Sequence, residues 1–286
     1  MSPPCQPYTR TGKQLGSEDT RAKSFLRIID MLGEMQHPPR YLLVENVKGF
    51  ETSETREALV EQLARLGYVF EEYLLTPLQF GIPNSRLRYY LVAKRKPLSF
   101  GGNGDDAAVA SMDIGSSAQV DSRHLSHMEM AEAHSLEGVR AIEAFIEHDP
   151  SIEAAYSIPS GVSCNNIVKA SSRRSCCFTK GYGHHVRGTG SILQMDEQAD
   201  TTETFNKAWH GTSSTDEVDI ALIEALGLRY FTENEIARLM GFPATFAFPA
   251  SVSRRQRYRA LGNSLNVTVV GALLRHLTAS TTSSAQ

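Results

Sequence analysis

The sequence predicts an α/β fold, and three observations carry that expectation. Over the first ~95 residues, stretches with helical apolar spacing alternate with short runs rich in Val, Leu, Phe and Tyr. The chain has 286 residues, 41% of them hydrophobic and 21% charged, enough to build a sizeable core. No apolar run approaches the ~20 residues of a membrane helix; the longest, residues 267–274, is interrupted by Thr268 and Gly271.

The elements follow in order. Residues 20–35 place Phe25, Ile28, Ile29, Leu32 and Met35 at helical spacing. Tyr41–Val47 is a short apolar run after Pro38-Pro39 and reads as a buried strand. Residues 52–66 are helical again, with Leu59, Val60, Leu63 and Leu66 on one side and Gly67 as the stop. Tyr68–Leu75 and residues 88–93 read as strands. The alternation predicts part of a parallel sheet, with ligands bound outside the carboxyl ends of its strands. Residues 101–120 are Gly, Ala, Ser and Asp with little to pack, and predict a linker. Residues ~120–228 predict a loop-rich second domain with one helix over 128–147. Thr232/Glu235 and Ser253/Gln256 each fit a capping box, residues 264–277 an apolar helix, and residues 278–286 a disordered Ser/Thr tail. The expected domains are 1–98, 99–250 and a returning helix with its tail at 251–286.

Composition narrows the functional classes. Four Cys with no CxxC pair argue against a zinc site and a disulfide scaffold, and the polar, Pro-rich N-terminus is no secretory signal. A reducing intracellular compartment is expected: the cytoplasm, with the nucleus as the alternative. The net charge of −3 gives no global sign of a polyanion partner. Its distribution is uneven. Residues 101–160 carry eleven acids against two arginines, whereas residues 171–190 hold Arg173, Arg174, Lys180 and Arg187 with no acid. Arg254, Arg255, Arg257 and Arg259 form a second basic cluster. Such segregation can present a basic face to a polyanion; ordinary solvated charge is the alternative.

Four motifs could carry chemistry. Cys5 lies between Pro4 and Gln6-Pro7 on a stiff loop. Glu45-Asn46-Val47 ends an apolar strand, where α/β enzymes bind ligands. Arg86 and Arg88, two residues apart, would share one side of a strand and aim two planar forks at one acceptor. Gly262-Asn263-Ser264 opens the last helix, whose N–H groups could meet a ligand carboxylate. Each has a bland reading: a buried thiol, a solvated strand end, a surface pair, a helix cap. The adjacent His184 and His185 read as a loop feature, so no metal site is expected.

In this order the motifs resemble the C5-cytosine methyltransferase family. Pro4-Cys5-Gln6, Glu45-Asn46-Val47, Arg86 with Arg88, Arg229 through Pro243 and Gly262-Asn263-Ser264 match its motifs in sequence. Cys177-Phe178-Thr179 resembles the marker of the branch that methylates tRNA-Asp at cytosine 38. The resemblance implies a Rossmann-like class I methyltransferase core with a smaller target-recognition domain. It also implies S-adenosylmethionine as cofactor, tRNA as partner with DNA as the alternative, no membrane, and a monomer.

The implied chemistry starts with attack of the Cys5 thiolate on cytosine C6, which makes C5 nucleophilic. Glu45 would hold the Watson–Crick edge, Arg88 the base O2, Arg86 the loop and Asn46 the strand end. Cys177, Phe178, Thr179, Lys180 and Arg187 would face RNA, and Pro4, Asn263, Ser264 and Val267 the cofactor. The family also has a Phe-x-Gly-x-Gly turn and an acidic residue that cradle the cofactor. Only four residues precede Cys5. The expectation is therefore a core incomplete at its N-terminus, and a catalytically silent or merely RNA-binding chain is the reading from another class.

Overall fold

The structure is a computed structural model; it describes residues 1–4, 22–100, 136–157, 166–185, 187–210 and 219–279. The chain divides into two compact units. The first gathers Met1–Phe80, Leu87–Ser135 and Val269–Gln286, and the second Gly81–Arg86 and Leu136–Thr268.

In the first unit, helix α1 (Lys23–Glu34) leads into β1 (Tyr41–Val47), α2 (Glu54–Arg65), β2 (Tyr68–Leu75) and β3 (Arg88–Arg95). Ser53 starts α2 by accepting the Arg56 N–H, and Gly67 turns the chain at a φ of 75° that few other residues adopt. The sheet order is β1-β3-β2, and β3 runs antiparallel to both neighbours. The expectation of parallel pairing among these strands is therefore corrected. β1 and β2 do share a direction, joined through α2. The link from β2 to β3 holds only a 3-10 turn at Pro77–Phe80. With no crossover helix to carry it over the sheet, β3 returns between its neighbours in the opposite sense.

Alternation along the strands gives the sheet two apolar faces. Leu42, Val44, Leu74, Tyr89, Leu91 and Ala93 pack with Phe25, Ile29 and Leu32 of α1 and Leu59 and Leu63 of α2. Ile28 and Met35, expected on the same helix face, are exposed. Tyr73, Leu75, Tyr90 and Val92 pack on the other face against Val269, Ala272, Leu273 and Leu277. These last four belong to α8 (Val267–Thr278). Its start lies three residues beyond the expected 264, because Ser264 is extended.

The second unit holds α3 (Pro150–Tyr156), β4 (Ile167–Lys169), β5 (Ile192–Gln194), α4 (Thr201–His210), α5 (Ile220–Glu224), β6 (Leu228–Tyr230), α6 (Glu233–Leu239) and α7 (Arg254–Asn263). β5 pairs parallel with β4 and antiparallel with β6. Both capping boxes form, at Thr232 and at Ser253. The helix expected over 128–147 does not form within its described part. Gly138 has a φ of 79°, only Ile142–Phe145 make a 3-10 turn, and the N–H groups of Ile142 and Glu143 donate to the carbonyls of Ser172 and Ala170. Pairing with that neighbouring segment takes the donors a helix would need. The remainder of that stretch and the tail beyond 279 lie outside the described residues.

A fully buried ion pair lies in this unit. Arg229 donates through both terminal nitrogens to Glu235 at 2.8 and 2.9 Å, and Glu235 also accepts the N–H groups of Thr232 and Glu147. Nearby, Phe178, Tyr182, Phe231 and Tyr258 form an edge-to-face cluster. Among the described residues, no helix is long and apolar enough to cross a membrane.

In the first unit, His276 Nε2 lies 2.6 Å from Glu71 Oε2, and the Tyr73 hydroxyl donates to the same oxygen. Burial raises the Glu71 pKa, but the bonds from His276 and Tyr73 outweigh it and hold this carboxyl below its ordinary value. A carboxyl depressed in the folded state contributes stability at neutral pH and loses that contribution as pH falls through its folded value. Glu71→Gln is expected to cost about 1.5–3 kcal/mol at neutral pH. It should also show a smaller loss than the parent chain between about pH 5 and pH 3. Urea unfolding at a series of pH values reads both.

Candidate functional site

Glu45 stands near the carboxyl end of β1 and is 6% exposed. The register sets Val47 opposite Arg88 and Glu45 opposite Tyr90. Arg88 is therefore the diagonal neighbour of Glu45 on one sheet face, within reach of a long side chain. Its Nε lies 3.5 Å from Glu45 Oε1, and its Nη1 donates to the Leu87 carbonyl. The Ser2 hydroxyl donates to the other carboxylate oxygen. The terminal amino group donates to the Leu43 carbonyl, and the Glu45 N–H donates to the Met1 carbonyl. This is one step of a parallel ladder on the edge of β1 away from β3.

The residues leading into Pro4 thus start beside the strand segment that carries Glu45. Pro4 is exposed, and Cys5 lies outside the described residues. Asn46 is 1% exposed. Its Oδ1 accepts the Val47 N–H, while its Nδ2 meets no hydrogen-bond partner among the described residues. A buried amide donor so placed can hold a further carbonyl.

Arg86 belongs to the second unit and is 5% exposed. Nη1 donates to the Phe178 carbonyl at 3.2 Å and to Cys177 Sγ at 3.3 Å; Nη2 donates to the carbonyls of Ser264 and Gly262. The expectation that Arg86 and Arg88 aim at one acceptor is not met. β3 begins only at Arg88, and the preceding residues bond elsewhere: the Ser85 N–H to Ser175, and the Asn84 amide to Ser175 Oγ and the Cys176 carbonyl. Arg86 braces backbone, whereas Arg88 faces a carboxylate.

The Cys-Phe-Thr tripeptide divides its work. Cys177 is half-buried against Arg86, Phe178 is core, and the Thr179 N–H donates to the Thr189 carbonyl at 2.8 Å. Lys180 and Arg187 are exposed. Asn263 and Val267 are exposed too, and the Ser264 hydroxyl donates to the Leu261 carbonyl. The Val267 N–H donates to Met240, so that helix-start donor is already used. A Cβ on Gly262 would lie 2.2 Å from the Lys180 N and 2.3 Å from the Thr179 carbonyl carbon. Only a glycine lets these two motifs meet. Among the described residues no cluster of metal-ligating side chains occurs. Gly262 was read as part of the Gly-Asn-Ser motif but not as the point of close backbone approach, and Ser2 and Asn84 were not singled out as site-forming residues. Asn84 lay in the polar run Pro83-Asn84-Ser85-Arg86 beside a predicted site residue, which was the signal for it.

Three comparisons bear on this geometry. The family model for C-5 cytosine-specific DNA methylase matches residues 1–279. The Homo sapiens tRNA (cytosine(38)-C(5))-methyltransferase is 36% identical over 97% of this chain and 81% of its own length. A Dictyostelium discoideum protein named DNA (cytosine-5)-methyltransferase is 35% identical over 97% of this chain and 76% of its own. Among solved structures, the crystal structure of S. pombe Dnmt2 methyltransferase aligns with a TM-score of 0.71 at 34% identity. It covers 97% of this chain and 76% of that one.

The backbone contact at Gly262 generates a prediction. Gly262→Ala forces the Thr179-Lys180 backbone away, and overpacking of this kind costs about 1–3 kcal/mol. Urea unfolding should show that loss, while Gly188→Ala, where a Cβ meets nothing within 4 Å among the described residues, should show the cost of its φ of 71°.

Proposed function

The chain belongs to the C5-cytosine methyltransferase family, and from that premise we propose that it methylates C5 of a cytosine in tRNA, with the anticodon loop of tRNA-Asp as target. The observation that carries the chemistry is the buried Glu45 carboxylate at a strand end, in contact with Arg88 and Ser2. Ser2 and Cys5 are three residues apart, so they are separated by at most about 11 Å whatever the conformation of the loop.

Cys5, as thiolate, attacks C6 of the base and makes C5 nucleophilic. Glu45 accepts from the exocyclic amine and supports a proton at N3, offsetting charge that develops in the ring. Arg88 donates to the base O2. Arg86 positions the Cys-Phe-Thr and Gly-Asn-Ser backbones, and Asn46 the loop beside its strand end. S-adenosylmethionine, the cofactor this family uses, supplies the methyl group when bound. Asn263 offers an exposed amide, Val267 an exposed apolar side chain and Ser264 a turn braced by Arg86. Such a mixed set suits a ligand with both polar and apolar parts, and the family resemblance adds Pro4 to the cofactor-binding residues.

The choice of tRNA rests on Cys177-Phe178-Thr179 and on the named relatives, and the charge distribution supports it. Lys180 packs its backbone against Gly262 at the end of α7, whose Arg255 and Arg259 are exposed. Arg254 instead covers Tyr156 and Arg257 pairs with Glu233. Lys180, Arg187 and the two exposed arginines are left to meet phosphates. A base in an RNA loop also leaves its stack at less cost than one in a duplex. DNA is the second reading, favoured by the name of the Dictyostelium relative.

Labelled S-adenosylmethionine, offered with a tRNA-Asp transcript or with duplex DNA, decides between them. Methyl transfer to tRNA is expected, and transfer to DNA alone would overturn the reading. Cys5→Ala should abolish transfer while tRNA affinity stays within a few-fold, since phosphate contacts dominate it. Glu45→Gln should lower turnover by ~10²–10³ and affinity far less. Near-parental turnover in either variant removes that residue from the catalytic set.

A further inference from the structure

Cys176 and Cys177 are adjacent thiols in no disulfide, and they face different surroundings. Cys176 is exposed, its sulfur 3.8 Å from Asn166 Oδ1. Cys177 turns inward, where Arg86 Nη1 donates to its sulfur at 3.3 Å. The same guanidinium holds the carbonyls of Phe178, Gly262 and Ser264. One sulfur thus belongs to a half-buried residue and is held beside a cation, and its neighbour in sequence is a second thiol on an exposed residue. Redox-sensing cysteines share these properties: access, a polar cationic setting and a resolving partner.

We propose that Cys176 and Cys177 form a reversible redox switch, in which hydrogen peroxide closes a disulfide between the adjacent residues and pulls the Cys177 sulfur off Arg86. In the first step the Cys177 sulfur attacks the peroxide O–O bond, giving a sulfenic acid and water. In the second, Cys176 sulfur displaces the hydroxyl group, giving the S–S bond and a second water. The two thiol protons end in the two waters, the two sulfurs together give up two electrons, and the peroxide takes them.

Adjacency makes the second step intramolecular. It also strains the product. Neighbouring Cα atoms stand about 3.8 Å apart, below the usual span of about 4.4–6.8 Å for a disulfide. A strained, exposed bridge is readily reduced, which suits a switch rather than a staple. Closing it requires one sulfur to cross toward the other, so the Cys177 contact with Arg86 is lost and the backbone from Phe178 to Lys180 shifts. The brace on Ser264 and Gly262 loosens with it. The thiol chemistry stands on this geometry alone; only its effect on substrate rests on the proposed function.

The test uses the intact chain treated with hydrogen peroxide, alkylated and digested with trypsin. Cleavage after Arg174 and Lys180 releases residues 175–180, which hold both cysteines and no other. The expected product is this peptide, unalkylated and about 2 Da lighter than its dithiol form, restored by dithiothreitol. The oxidised chain should unfold at lower urea concentration and bind tRNA-Asp several-fold more weakly, both reversed by reduction. Cys176→Ser should bind tRNA like the parent chain and never give the lighter peptide. Cysteines that remain alkylatable, or that pair with Cys5 or Cys164, overturn the switch. So does a lighter peptide with an unchanged unfolding midpoint. If the reduced chain does not bind tRNA at all, the function reading fails while the peptide and the unfolding midpoint still decide the switch.

Discussion

A single buried guanidinium sets much of the second unit. Arg86 is taken out of water, a step that costs several kcal/mol unless its donors find acceptors. They find the carbonyls of Phe178, Gly262 and Ser264 and the sulfur of Cys177, contributed by segments roughly 90 and 180 positions away in sequence. The planar fork fixes where those acceptors can lie. Two of the carbonyls belong to the end of α7, where the helix dipole also favours a cation. Removing the fork would strand several buried acceptors at once, so the turn of Gly-Asn-Ser and the start of Cys-Phe-Thr are positioned by the same charge. Gly262 complements it, because the close backbone approach that Arg86 maintains leaves no room for a Cβ.

In the first unit the corresponding constraint is the insertion of β3 between two strands of common direction. It gives the sheet a central strand covered on both faces, with Tyr89, Leu91 and Ala93 on one side and Tyr90 and Val92 on the other. It also puts the first residue of β3 beside the end of β1. An arginine entering an antiparallel strand and a glutamate leaving its neighbour then become diagonal partners. A parallel neighbour would set strand starts side by side, and this pairing across the carboxyl end would not arise.

What was legible in the sequence follows from how local each determinant is. Tyr41–Val47 and Tyr68–Leu75 were read to the residue because a short apolar run between turn signals has one sensible conformation. Both capping boxes were read because all of their partners lie within four residues. The ordered motifs were legible as a family resemblance, which the comparisons bear out. The failures are non-local. The direction of β3 depends on what its link lacks, and the segment around Ile142 gave its donors to Ser172 and Ala170 rather than to a helix. The different partners of Arg86 and Arg88 depend on a strand boundary at Arg88, which alternation alone cannot place. Arg229 and Glu235 were legible as motif members but not as a fully buried pair, since burial depends on packing by segments distant in sequence.

The Cys-Phe-Thr run shows how packing and chemistry can share three consecutive residues. Phe178 has no choice of environment: Tyr182 and Phe231 meet its ring edge to face, and a Cβ on Gly190 would stand 2.6 Å from it. A ring so enclosed has one orientation, and it fixes the directions of the residues on either side. Thr179 spends its N–H on Thr189, which ties the tripeptide to the strand-bound segment beyond it. Cys177 is then turned toward Arg86 and only half-buried. The core residue therefore acts as an anchor, and its rigidity lets a small side chain beside it hold a defined position. Shrinking Phe178 would cost core stability first and would lose the placement of Cys177 as a consequence.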